Sequence, residues 1–551
     1  MRTLYLLLFV STLHFSGICQ VTPQNGVKES TPDLIFIKNA TIIVSPEKTI
    51  NNGSLLIEGD KIVKVGSLLT APKGSVIVDL DGKVICPAFI DLNSDFGLPK
   101  LKRSDKNNPY PQLETLKDGA YYWNESVHPE VSANELYKYD EKGAKDYVKN
   151  GFGFLMTRQN DGVIQGNGAL VAVGNENKTQ FAKDHKSAFF SFQKGISRQS
   201  YPSSQMGCIA LMRQAIYDAK WYSENKTELN LSLEALNNQL NFPQFFQTIE
   251  KYEILRAEKI ANEHVLNFHY LGSGNEYEIL PELENVKGAI VCPLNFPDAY
   301  DVSDPYVVRQ IPLSDLKHWE MAPKNPALLD KAGMTICITS AGLEKPDQFW
   351  EKLRTAISNG LSPEAALKAL TVNPAKIIHA EDQIGTIESG KLASFSIYSG
   401  NPFEENSEIL ESWSLGKRTV HKTLPLHDIS GKYHVHIMNK TYPLEVLPKG
   451  DKYTGKITYT YTDPETTTSN DSTTSVKINL NENDITLQFN LDDDRYIGNV
   501  SLHGKVSSKL GVFEGNGFMP DGSWEKWSAI KSMSSFRSLS DGILNVITFK
   551  R

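Results

Sequence analysis

Residues 86 to 99 read Cys-Pro-Ala-Phe-Ile-Asp-Leu-Asn-Ser-Asp-Phe-Gly-Leu-Pro, and this stretch constrains the fold more than any other. It predicts a short strand. Side chains alternate along a strand, so Asn93 and Asp95, at i and i+2, leave it on one face. Upstream, Leu34–Ile37, Ala40–Val44 and Gly53–Gly66 are β-rich runs separated by Asn-Gly and Gly-Asp turn signals, which predicts a small sheet. The 551 residues are too many for one compact core. At roughly 150 residues per domain they predict about three or four units, fewer if one is a barrel.

With 40% hydrophobic and 22% charged residues the composition is ordinary for a globular chain. A net charge of −8 provides no basic face, which excludes nucleic acid and anionic lipid as partners. The first 19 residues read as a secretory signal: Arg2, the apolar run Leu4–Val10, then Gly17-Ile18-Cys19 before Gln20. Export to the periplasm or the cell exterior is expected. Ile18 argues against lipid anchoring at Cys19, because that signal takes Gly or Ala there. No later segment has the ~18 apolar residues of a membrane span. Cys86, Cys208, Cys292 and Cys337 lie far apart in apolar settings, as buried free thiols do.

The phrase at 86–99 resembles the first barrel strand of the amidohydrolase superfamily, in its imidazolonepropionase-like branch, where Pro-Gly-Phe-Ile-Asp-x-His-x-His carries two metal-binding imidazoles. Two later phrases carry the resemblance further. Leu361–Lys376, with Ser362 as N-cap, Pro363 at the first helical position and an Asn373-Pro374 stop, is similar to a helix of that family. Asp382–Tyr398 is similar to its closing Gly-x-Ile-x-x-Gly-Lys-x-Ala-Asp phrase, with Ser394 in place of the Asp. The resemblance covers roughly residues 33 to 420. It implies an α/β fold: a (β/α)8-like, TIM-type barrel over 87–381 with a discontinuous β-sandwich from 33–86 and 382–425. A signal peptide (1–19) and a disordered leader (20–32) precede these, and an all-β domain over 426–551 follows.

Within the barrel, periodicity predicts strands at Gly153–Thr157, Ala169–Val173, Ser187–Phe192, Val265–Leu271, Gly288–Leu294 and Gly333–Thr339. Helices are predicted at Met206–Tyr222 and Glu253–His264, and a Gly-rich loop at Asp161–Gly168. Beyond 426, alternating strands are predicted at Lys432–Met438, Tyr453–Thr462, Thr474–Leu480, Asp484–Leu491, Tyr496–Lys505 and Leu544–Phe549, with Asp492-Asp493-Asp494 as a solvated turn.

Active relatives, by the resemblance, hydrolyse C–N bonds other than peptide bonds through metal-activated water and an Asp base. The positions that would serve this chemistry are replaced here. The first-strand pair is Asn93 and Asp95. Two later His positions fall at Gln247 and at Gly272 or Ser273, and the last-strand Asp falls at Ala341. Only Asp95, with Asn93 and Asp91 beside it, retains any affinity for a hard cation, which wants six or more oxygens.

No cofactor is therefore expected, and the leading expectation is a degenerate module that acts by binding, or as partner of a separately encoded active amidohydrolase. An alternative is a hydrolase with an unorthodox zinc or other divalent site built from Asp95, His128, His269 or Glu276. A third reading puts polymer binding in the C-terminal β domain. Gly272–Glu276, opening a helix after a strand, also offers free N–H groups to an anion. His264 and His269 do not share a face, and His434 and His436 share a strand face without a third ligand nearby.

Overall fold

The computed structural model describes residues 34–102, 110–176, 185–422, 429–437, 439–449, 452–462, 468–481, 484–494, 496–507 and 512–532. The expected signal peptide, the leader and the Leu544–Phe549 strand lie outside the described residues.

The first sheet draws on both flanks of the barrel. From the N-terminal side come β1 (Leu34–Ser45), β2 (Lys48–Glu58), β3 (Lys61–Gly66), β4 (Val76–Asp79) and β5 (Val84–Pro87). From the far side come β14 (Phe395–Tyr398), β15 (Ile409–Ser414) and β16 (Lys417–Val420). The order is β16-β15-β14-β5-β1-β2-β3, with β4 also on β1. The seam is β5 on β14, antiparallel from Val84 opposite Tyr398 to Pro87 opposite Phe395. Ile37, Ile42, Leu55, Ile85, Phe395 and Trp413 form one buried apolar cluster from both flanks. The strands of both flanks are hydrogen-bonded into one eight-stranded sheet, and the expected β-sandwich is not confirmed.

The second sheet is the barrel: β6 (Phe89–Ser94), β7 (Phe152–Thr157), β8 (Ile164–Ala172), β9 (Lys186–Ser191), β10 (Gln244–Gln247), β11 (Phe268–Leu271), β12 (Ile290–Pro293) and β13 (Ile336–Thr339). Every residue of β7 is buried, as befits a strand covered on both faces. Neighbours are parallel except β8, which runs antiparallel to both β7 and β9. The expected (β/α)8 alternation is therefore corrected at that strand. Its physical reason is the short β7–β8 connection: Ile164–Gly168, expected in a loop, pairs back on the sheet instead of crossing over. The end strands β6 and β13 meet through Asp91 of β6, whose Oδ2 accepts from Ser340 N (2.8 Å) and Ser340 Oγ (2.7 Å).

Other elements also depart from expectation. Val265 adopts φ 58° as the C-cap of the helix Tyr252–His264, so β11 starts only at Phe268. The Leu361–Lys376 helix breaks at Thr371 into Pro363–Leu370 and Val372–Ile377, while its N-cap stands: Ser362 Oγ accepts from Ala365 N at 3.0 Å. All four described cysteines are free and buried.

Beyond residue 428, β17 (Gly431–Ile437), β18 (Lys440–Lys449), β19 (Lys452–Thr462), β20 (Ser469–Asn481), β21 (Asp484–Asp492), β22 (Ile497–Ser507), β23 (Val512–Phe518) and β24 (Trp524–Lys531) form a closed antiparallel barrel. Alternation puts Tyr433, Val435, Leu444, Leu487 and Phe513 into its own apolar core. Three strands, β18, β23 and β24, were not predicted, and β20 starts five residues earlier than expected. Asp493 corrects the solvated-turn reading: it is buried, accepting from Tyr496 N (2.7 Å) and Tyr442 Oη (2.7 Å).

Candidate functional site

Arg158 follows β7 directly, so the fully buried strand delivers its side chain to the barrel end where the parallel strands finish. Its backbone N–H donates to Ser94 O at 2.9 Å, fixing the start of the side chain beside the end of β6. The guanidinium is buried and lies across the barrel mouth. Nη2 donates to Asn93 Oδ1 and to Gln247 Oε1, both at 3.1 Å, and Nη1 donates to Gln165 Oε1 at 2.7 Å. The Phe189 ring packs against it, 4.8 Å from centroid to guanidinium carbon. Nε has no partner among the described residues. All three acceptors are neutral carboxamides. Burial pulls the Arg158 pKa down to about 10, and the charge of Asp95 opposes that shift. The group stays a cation at neutral pH.

This cation borders a cavity of about 370 Å³ lined on its polar side by Asn93, Asp95, Arg158, Gln247, Ser340 and Ala341. Phe152, Leu343, Pro346 and Phe349 form an apolar wall. Tyr147 also lines it, and burial followed by the negative charge of Asp91 raises its phenol to about 12, which keeps it neutral. Asp95 is exposed at the rim. The structure thus brings together in one cavity Asn93, Asp95, Gln247 and Ala341, four of the residues at which the resemblance leads us to expect replaced ligands, with an arginine that the sequence reading did not single out. The available signal was a lone arginine directly after the mostly apolar strand Phe152–Thr157. Its acceptors at 93, 165 and 247 are too far apart in sequence for any motif to reveal.

The remaining candidates lie elsewhere. Gly272 and Ser273 do not line the cavity. Ser273 N donates to Glu276 Oε1 at 2.6 Å, Gly274 N to the same oxygen at 3.1 Å, and Asn325 Nδ2 to Oε2 at 2.7 Å. The anion-binding turn anticipated at 272–276 is therefore filled by the chain's own buried Glu276 carboxylate. His269, near the start of β11, packs its ring 5.6 Å from Phe245 and accepts from Ala289 N at Nδ1, 3.1 Å. Burial pushes its pKa down to about 4, so it is neutral. His128 belongs to a second cavity of about 1040 Å³ with Glu125, Glu130 and Asp161, where Nε2 lies 3.4 Å from Asp161 Oδ2. The unorthodox set Asp95, His128, His269 and Glu276 is thus dispersed. His264 stacks edge-on with Tyr217 at 4.9 Å. His434 and His436 bond separately to Ser532 Oγ and Thr441 Oγ1.

Asp91 is likewise committed: besides Ser340, its Oδ1 accepts from Asn93 N at 2.9 Å. Burial raises its pKa against those hydrogen bonds, so the clamp takes up a buried carboxylate. Cys337 lies inside β13, where burial raises its thiol far above the ordinary value and removes it as a nucleophile.

The divalent metal that the family resemblance implies does not fit these residues. Its ligands would be two carboxamides, one rim carboxylate and an alanine, with a guanidinium already hydrogen-bonded to both amides. Such neutral donors and a neighbouring cation oppose a dication. Among the described residues no group of three or more His, Cys, Asp or Glu is placed to hold one.

Comparison with known proteins agrees with this architecture. A model of the amidohydrolase family matches residues 213–424, beginning downstream of Asn93 and Arg158. The imidazolonepropionase of Christiangramia forsetii is 23% identical over 413 residues, covering 69% of this chain and 90% of that protein. A crystal structure of an amidohydrolase from Thermotoga maritima MSB8 superposes with a TM-score of 0.55 at 26% identity, covering 70% of this chain and 99% of the other. The barrel, its flanking sheet and these likenesses agree, and together they support the amidohydrolase superfamily for this chain.

Proposed function

We propose that this chain is a non-hydrolytic member of its superfamily, whose barrel mouth binds a small molecule and does not activate water on a metal. One observation carries the reading: the Arg158 guanidinium is hydrogen-bonded to Asn93 and Gln247, the residues that stand where the family resemblance expects imidazole ligands. A fixed cation there supplies positive charge without an open coordination position, so it can orient an anionic or polar group but cannot lower the pKa of a bound water as a metal does. Ala341, at the expected position of the base, has no side chain able to accept a proton. The chain would act as a binding module, exported, alongside a separate catalytic partner; the signal-like residues 1–19 motivate the export.

Elemental analysis of the purified chain, after incubation with zinc and manganese and extensive dialysis, tests this. Less than stoichiometric retention is expected, together with no metal-dependent turnover of amides or lactams. One or two tightly held ions per chain would overturn the reading.

A further inference from the structure

The Arg158 cation is buried and hydrogen-bonded only to neutral acceptors, and taking a charge out of water without a directly paired opposite charge is costly. Asn93, Gln165 and Gln247 satisfy three of the five N–H donors of the guanidinium but supply no countercharge. Asp95 lines the same cavity, and among the described residues no hydrogen bond or ion pair engages its carboxylate. One cavity therefore presents a buried cation and a rim anion that make no ion pair with each other among the described residues, although the charge of Asp95 is felt at Arg158. The same cavity has an apolar wall formed by Phe152, Leu343 and Phe349.

We propose that the barrel mouth binds a small zwitterion, an amino acid in its simplest form, with its carboxylate on Arg158 and its ammonium toward Asp95. The cavity of about 370 Å³ lies at the low end of the ~300–1,000 Å³ typical of small-molecule sites, which suits a ligand of that size. Asn93 and Gln247 are carboxamides, so each can turn its NH₂ to the incoming carboxylate where it now offers oxygen to the arginine. Dicarboxylates are disfavoured, because their second charge would meet Asp95. The apolar wall receives the aliphatic part of the ligand. This inference rests on the non-hydrolytic reading above and names the ligand class.

Isothermal titration of the full chain with matched probes tests it: propionate, propylamine, alanine, β-alanine and 4-aminobutyrate. At least one zwitterion is expected to bind more tightly than both propionate and propylamine. Arg158→Gln should weaken that binding by about thirtyfold or more, as truncating one partner of a buried charge pair does. Asp95→Asn, an isosteric change at an exposed position, should weaken zwitterion binding and leave propionate unaffected. Failure of every zwitterion to bind, or an unchanged affinity in Asp95→Asn, overturns the inference. The metal analysis is independent of these titrations, so bound zinc would overturn the non-hydrolytic reading whatever the zwitterions do.

Discussion

Asp91 and Arg158 are both buried and each satisfies several partners, so removing either has a cost in stability. Asp91 receives three donors, Asn93 N, Ser340 N and Ser340 Oγ, and joins β6 to β13. Asp91→Ala should orphan these donors at about 1–3 kcal/mol each, giving a loss of at least about 3 kcal/mol in urea unfolding. Arg158→Met relieves the burial of a cation but leaves Asn93 Oδ1, Gln165 Oε1 and Gln247 Oε1 without their donor, so a smaller net loss than for Asp91→Ala is expected in the same measurement. His269 provides a pH signature. Held neutral in the fold with its pKa lowered from 6.5 to about 4, it takes up its proton more readily when unfolded. Its contribution is therefore fully present above about pH 6.5 and is lost as the pH falls toward 4, by about 3 kcal/mol at most. His269→Gln, which retains an acceptor for Ala289 N, should flatten that part of the stability profile.

At the scale of elements, the ends of the barrel were legible and its middle was not. The 86–99 phrase and the 361–376 helix signals depend on local chemistry, alternation along a strand and an Ser362–Pro363 start, which neighbouring residues specify by themselves. The reversal of β8 depends on where a hairpin turns, and Ile164–Gly168 looks like a Gly-rich loop until its partner strands are present. The centre of the site was invisible for the same reason: Arg158 acquires meaning only when Asn93, Gln165 and Gln247 converge on it. Asp95 and the loss of imidazoles could be read directly, because they stand next to a recognisable phrase. Close backbone approach adds a test at this scale. A Cβ on Gly288, just before β12, would lie 1.8 Å from Phe268 O, so Gly288→Ala should force β11 and the entry to β12 apart. A lowered thermal midpoint is expected, with a cost of about 1–3 kcal/mol as for other overpacked positions.

Across the whole molecule, closure of β24 on β17 gives residues 429–532 a complete sheet and an apolar core of their own. Gly504 and Gly515 face each other across β22 and β23; Gly504 makes room for Trp527, whose Nε1 donates to His503 O at 3.0 Å, and Gly515 for the backbone of β22. A fragment of residues 429–551 should accordingly show a cooperative all-β unfolding transition by circular dichroism. The first sheet has the reverse character. Because β5 enters the barrel and β14 leaves it as hydrogen-bonded neighbours, the two ends of a three-hundred-residue excursion, by order of magnitude, are held a strand's width apart, about 4.8 Å. In mechanical terms the barrel is a loop tied at its neck: a single proteolytic cut in any of its surface connections would leave two polypeptides that still travel as one particle. Pulling on the chain from outside the neck would load the β5–β14 seam before it reached Arg158.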